Sequence, residues 1–250
     1  KYTVLYSSQP ATLNYLTTAT DLEMVVGANC VDTLVEYDNK GVMREGLATK
    51  WEWDADTLTW TFTLREENWV DCNGEVKEHI TATDFLVGLE WVLNASKNEA
   101  NNTSMPNDTI VGAYEYYELT KEAGDAAADM TYEDMLAAGV GVEAPDDYTL
   151  VFTCKNPCPY FDTVAAYNSF YPVAPALIEE LGVDGFRSCD NTTMWYNGPY
   201  VVEEYIQGNT KSYIPNPNYY DAANVSRFER LTVTMISDQA IAFQLYQNRE

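Results

Sequence analysis

The residues that could do covalent or acid–base chemistry are few, and their spacing does not suit it. The single histidine, His79, follows Glu78 in a turn-like stretch. As a general base it would need an activated nucleophile, and the sequence holds no G-x-S-x-G string to supply one. Neither an H-E-x-x-H zinc pair nor a G-x-x-x-x-G-K-[ST] phosphate loop is present. Carboxylates pair at Asp54/Asp56 and Asp146/Asp147, but with 39 acidic residues such pairs arise by chance. Both read as turns, because Asp side chains hydrogen-bond to nearby backbone. The five cysteines, Cys30, Cys72, Cys154, Cys158 and Cys189, are an odd number, so at least one is unpaired within the chain. Cys154 and Cys158 bracket Lys155-Asn156-Pro157. A short-loop disulfide in an oxidising compartment and plain burial as small apolar side chains both fit. A zinc site does not, since no second cysteine pair or companion histidine stands near. The expectation is no enzyme, no metal and no cofactor.

Composition narrows the partners. The chain of 250 residues carries 14 Lys+Arg against 39 Asp+Glu, a net charge of −25. Phosphates need Lys and Arg, so nucleic acid is excluded, and an anionic membrane surface is disfavoured. No stretch of about 18 apolar residues exists to span a bilayer. With 46% apolar residues and 19 Tyr, the chain can bury the core of one large domain or two modest ones.

The elements that must position any site are clearest between Gly46 and Gly74. Leu58, Trp60, Phe62 and Leu64 alternate with Thr59, Thr61 and Thr63. Period-two alternation puts the apolar set on one face of a strand. Trp51 and Trp53 flank Glu52 in the same rhythm, and Asp54-Ala55-Asp56 between the runs is turn-like. A β-hairpin with a tryptophan-rich buried face is predicted. Trp69, Trp91 and Trp195 have no such placement, and aromatic rings can also stack on sugars.

The order of short strings carries more. Gly46-Leu47-Ala48-Thr49-Lys50-Trp51-Glu52, Leu58 to Arg65, Trp69-Val70-Asp71-Cys72-Asn73-Gly74 and Thr81-Ala82-Thr83-Asp84-Phe85 follow one another. They resemble the GLAxxWE, LTYTFxLR, WSDG and TAxDF strings of the oligopeptide- and dipeptide-binding class of ABC-importer solute-binding proteins. Later segments resemble that family as well: Ile110 to Tyr114 (IxGAxxY), Gly141 to Phe152 (GVKALDDYTLEV), Asn197-Gly198-Pro199-Tyr200 (NGPY) and Asn216 to Asp221 (NPNYYD). Two positions depart from the pattern. Tyr15 stands where an LNP or LDP element has proline, and Thr33 where the family usually has glycine.

The resemblance implies an α/β, periplasmic-binding-protein-like lobe (type II, cluster C) with an inserted α+β subdomain. Residues 1–35 and 167–250 would form the first lobe and 36–166 the insertion, with a second lobe beyond residue 250. It further implies a secretion signal, and often a lipidated cysteine, ahead of Lys1, and a monomer at the extracellular membrane face or in the periplasm. Its partners would be a peptide and the membrane permease of the importer.

In the family, the loop before the first helix offers backbone hydrogen bonds to bound peptide, which corresponds here to Ala19, Thr20 and Asp21. An extended ligand held that way pairs like an added strand. A family tyrosine that packs over the ligand has Asn101 and Asn102 at the nearest positions. Two other readings stay open: a related binder of an oligosaccharide or metal complex, and a secreted acidic hydrolase.

Around these strings the remaining elements follow from periodicity and caps. A helix is expected over Met24 to Val31 with Asp21 as N-cap, and another from Asp84 to Leu93 with an apolar stripe. Residues 94–108 read as a polar loop, Ser169 to Val173 as a strand, and Leu177 to Leu181 as a short helix.

Overall fold

Alternation in β5 is what seats the second of the two main sheets. The computed structural model describes residues 2–8, 10, 12–16, 21–98, 102–225 and 228–248. Its strands are β1 (Tyr2–Tyr6), β2 (Val35–Tyr37), β3 (Met43–Glu45), β4 (Ala48–Asp54), β5 (Thr59–Leu64), β6 (Asn68–Val70), β7 (Val76–His79), β8 (Val142–Asp146), β9 (Thr149–Thr153), β10 (Tyr200–Ile206), β11 (Thr210–Pro215) and β12 (Leu231–Met235). The helices are α1 (Asp21–Cys30), α2 (Ala82–Leu93), α3 (Ala95–Asn98), α4 (Ser104–Thr109), α5 (Ala113–Ala123), α6 (Tyr132–Ala137), α7 (Phe161–Val164), α8 (Pro175–Arg187), α9 (Ala222–Val225) and α10 (Gln239–Asn248). Among the described residues no helix is long and apolar enough to cross a membrane.

One four-stranded sheet runs β1-β12-β11-β10, with β1 parallel to β12 and the other pairs antiparallel. It joins the beginning of the chain to its last third. The other, β4-β5-β9-β8, is antiparallel throughout and lies wholly within the middle of the sequence. Two ribbons, β2-β3 and β6-β7, complete the strand pairing.

In β5 the side chains of Trp60, Phe62 and Leu64 are buried and alternate with the threonines, as the sequence predicts. Leu58 leaves the pattern. It sits in the hairpin turn with a φ of +57°, and its carbonyl accepts the N–H of Cys154 at 2.8 Å. Trp53 lies opposite Trp60 with ring centroids 5.7 Å apart. Trp51 and Trp53 are half-buried, because β4 is an edge strand. Trp69, Trp91 and Trp195 are all buried. Beneath the sheet, Phe62, Phe152, Phe161 and Phe170 meet edge-on, for example Phe161 and Phe170 at 5.5 Å and 84°.

Helix α2 runs through the core rather than along it: ten of its 12 residues are buried, not a single stripe. Gly88 lets it touch the backbone carbonyl of Tyr171, where any Cβ would collide. Residues 94–108 hold two short helices, α3 and α4, where a loop was expected. Lys97, in α3, is buried because its Nζ lies 2.7 Å from Glu90 Oε2, and Glu90 also accepts from Asn94 and Tyr116. Residues 169–173 form a turn and an extended segment without strand partners, and α8 reaches Arg187 with a kink at Gly182. His79 ends strand β7 opposite Asn68 instead of lying in a turn.

A trough beside the first helix

One of the family-like strings, Asn197-Gly198-Pro199-Tyr200, anchors α1. At its C-terminus the carbonyl of Cys30 accepts N–H groups from Asn197 (3.2 Å) and Gly198 (2.9 Å). Asn197 Oδ1 in turn accepts the N–H of Asp32 at 2.9 Å. These are orphan groups of a helix end, satisfied from the start of β10. A Cβ on Gly198 would come 2.6 Å from the carbonyl carbon of Cys30, so the contact requires glycine. Val26 and Cys30 face the core.

That anchoring turns Met24, Val25 and Ala28 outward, with Val25 54% exposed. The sequence sets these three in one helical run with Val31; the structure buries Val31 and turns the other three to a hollow. Across from them stand Ala166, Tyr167, Asn168 and Tyr171, and the hollow between is about 550 Å³. Tyr171 is fixed against Tyr15, with ring centroids 5.7 Å apart, while the Tyr15 hydroxyl donates to the carbonyl of Pro172 at 2.8 Å. Ala166 and Tyr167 also border a second hollow of about 380 Å³, which includes Thr163 and Tyr37. Tyr37 in turn borders a third of about 850 Å³. Ala166 and Tyr167 line the first two hollows and Tyr37 the last two, so the three adjoin in a row that forms the trough.

The trough changes character along its length. Its α1 end is mostly apolar, and its far end is charged. There Arg44 pairs with Asp38 at 2.8 Å. Arg65 donates to the carbonyl of Gly46 at 2.8 Å, reaches Glu45 at 3.1 Å and stacks 3.7 Å over the ring of Tyr220. Partial burial and the neighbouring Asp221 raise the pKa of Glu36, against a smaller opposing effect from Arg65. Behind it, burial pushes Asp32 up to about 8, with Glu36 adding to the shift, although the hydroxyl of Tyr219 donates to Asp32 at 3.0 Å. Such a surface can hold an extended, amphipathic ligand by contact and charge. It presents no nucleophile–base pair, and among the described residues no group of His, Cys, Asp and Glu could hold a metal ion.

Of the residues expected to meet ligand, Ala19, Thr20 and Asn101 lie outside the described residues. Asp21 is the first residue of α1, whose next turn brings Met24 and Val25 to the trough. Asn102 is tied to the opposite wall. Its Oδ1 accepts from Asn98 at 2.7 Å, and its carbonyl accepts from Ser169 Oγ at 2.7 Å, next to Asn168. Sequence reasoning missed Tyr37, Tyr167 and Asn168. Their signal is weak, since a lone tyrosine at the end of a short strand or in a turn looks like any surface residue.

The model of the family described as bacterial extracellular solute-binding proteins, family 5, middle region, matches residues 42–250. The oligopeptide-binding protein AliB of Streptococcus pneumoniae is 32% identical over 225 residues, 90% of this chain and 32% of AliB. AmiA, an oligopeptide-binding protein of the same species, is 29% identical over 225 residues, again 90% of this chain and 32% of the relative. Among solved structures, Listeria monocytogenes OppA bound to peptide superposes with a TM-score of 0.83 at 19% identity, covering 99% of this chain and 45% of that one. The chain thus spans about a third of the length of these curated relatives. Its fold is the α/β, periplasmic-binding-protein-like fold of the OppA-type proteins. With the match running through the hairpin, the NGPY anchor of α1 and the strands that follow, the chain belongs to the bacterial extracellular solute-binding proteins of family 5.

Proposed function

We propose that this chain forms one wall of the peptide cleft in the substrate-binding component of an ABC importer. The observation that carries the reading is the open trough beside α1 in a chain of this family. An extended oligopeptide or dipeptide would lie along it, with main-chain hydrogen bonds to the loop of Ala19, Thr20 and Asp21 and contacts from Asn101 and Asn102. Backbone pairing of that kind holds many sequences alike. Residues 1–35 and 167–250 act as one lobe and 36–166 as an insertion. The sheet β1-β12-β11-β10 supports this division, since its strands come from both ends of the chain. A second lobe closes over the trough by hinge motion, excludes water and releases the peptide to the membrane permease, which it meets as a monomer at the extracellular face or in the periplasm. The peptide leaves unchanged, so the protein is a binder without turnover.

The half-exposed rings of Tyr37 and Tyr167 along the trough favour one second reading, an oligosaccharide ligand. Mass spectrometry of the ligand released by denaturing the natively purified full-length protein separates the two. A mixture of short peptides is expected. A glycan without peptide would overturn the proposal.

A further inference from the structure

We propose that the third hollow of the trough is a subsite for a Lys or Arg side chain, so that the ligand is an oligopeptide carrying a basic residue; this rests on the peptide-cleft reading above. The third hollow is the largest, about 850 Å³, and Tyr37 stands in the wall that it shares with the second. A peptide lying past Ala166 and Tyr167 reaches it along Tyr37. The ring of Tyr37 is 49% exposed, and the alkyl stem of a long basic side chain can lie on such a surface while its charged head reaches further. The ring of Tyr220 is already covered. Arg65 stacks on it at 3.7 Å, and the ring centroid of Tyr219 is 4.5 Å away.

The charges around this hollow do not cancel. The carboxylates of Glu36, Asp38, Glu45 and Asp221 line it together with the guanidinium groups of Arg44 and Arg65. Arg44 gives both Nε (3.1 Å) and Nη2 (2.8 Å) to Asp38 Oδ2. Arg65 is held by Glu45 at 3.1 Å, by the carbonyl of Gly46 at 2.8 Å and by its stack on Tyr220. Both cations are thereby committed, which leaves Glu36 and Asp221. The Asp221 carboxylate accepts the neutral side-chain amide of Asn224 at 2.6 Å. Among the described residues the Glu36 carboxylate has no hydrogen-bond donor and no Lys or Arg within ion-pair distance. Partial burial and the neighbouring Asp221 hold its carboxyl above the usual range, and Arg65 offsets this only in part. The ammonium or guanidinium of a ligand would relieve both carboxylates at once. Neither the first nor the second hollow is lined by a charged side chain, so the gain is confined to the ligand residue that reaches the third. The net charge of −25 draws a cationic ligand toward the protein.

The test is calorimetric titration of the full-length protein, stripped of carried ligand, with alanine hexapeptides. One residue of each is replaced by Lys or by norleucine, a neutral side chain of similar length, at each position in turn. One position should favour Lys over norleucine by about tenfold in Kd, the worth of a single charge-assisted hydrogen bond, and the others should not. In protein carrying Glu36→Gln and Asp221→Asn that preference should vanish. Salt gives an answer without a variant: at about 0.5 M the Lys preference of the wild type should shrink, because the charges of the hollow are only partly buried. Equal affinity for Lys and norleucine at every position, a preference that survives both substitutions, or one indifferent to salt would each overturn the subsite and leave the peptide cleft standing. Binding of no hexapeptide at all would remove the peptide reading, and this one with it.

Discussion

Asp84 is buried, with 1% of its surface exposed, and survives there because two donors meet it. Trp69 Nε1 donates to Oδ2 at 2.7 Å and Thr81 Oγ1 to Oδ1 at 3.2 Å. Two strings that read as separate family marks, the one around Trp69 and the one around Asp84, are therefore the halves of one buried hydrogen bond. Replacing Trp69 with Phe keeps the ring and removes the donor. The expected loss is about 1–3 kcal/mol, from leaving a buried acceptor short of a partner. Urea unfolding should show it as a lower midpoint with an unchanged slope; an unchanged midpoint would mean that Trp69 contributes through packing alone. Residue types were legible here, but their partners were not. The same holds for Lys97, which a polar, Asn-rich stretch suggested would be solvated. Its burial depends on Glu90, a turn or two back in α2, and on the carbonyl of Met130, far along the chain.

At the scale of elements, period-two strands were read well because each carries its own signal. The alternation in β5 and the β8-β9 turn at Asp146 and Asp147 both follow their local sequence. Helices α3 and α4 were missed because four to six residues carry no measurable helical period. The trough was illegible for a different reason. Its walls come from α1, from residues 163–171, and from Tyr37 and the segment after it, and only folding brings these together. The anchor of α1 can be tested directly. Gly198→Ala would put a methyl group 2.6 Å from the carbonyl carbon of Cys30 and 2.8 Å from the nitrogen of Val31, both backbone atoms that cannot swing aside. The expected cost is about 2–4 kcal/mol of stability, in the range of other overpacking and backbone clashes. Thermal unfolding would measure it. An unchanged melting temperature would show that the start of β10 does not hold the helix.

For the whole molecule, charge and burial act in the same direction. Asp32 is pushed up to about 8 and Asp84 to about 7, chiefly by burial, while both are near 4 when unfolded. Between those limits the native state binds more protons than the unfolded chain, so stability falls as pH rises. The net charge of −25 at pH 7 adds self-repulsion, which also eases as carboxylates gain protons. The opposite trend sets in only at low pH. Backbone N–H groups of Val42 and Lys40 hold Asp38 below the usual carboxylate range, aided by Arg44, and that contribution is lost on protonation. The melting temperature should therefore be higher at pH 5.5 than at pH 8.5. Salt divides the two causes: at about 0.5 M the Debye length falls to roughly 4 Å, which screens surface repulsion but leaves the buried groups unaffected. Asp32→Asn keeps an oxygen for the Tyr219 hydroxyl and removes the charge. In high salt it should flatten the pH dependence by about 3 kcal/mol between pH 5.5 and 8, at roughly 1.4 kcal/mol per proton per unit. The same pH dependence in wild type and variant would mean that Asp32 is already ionised in the folded protein across this range.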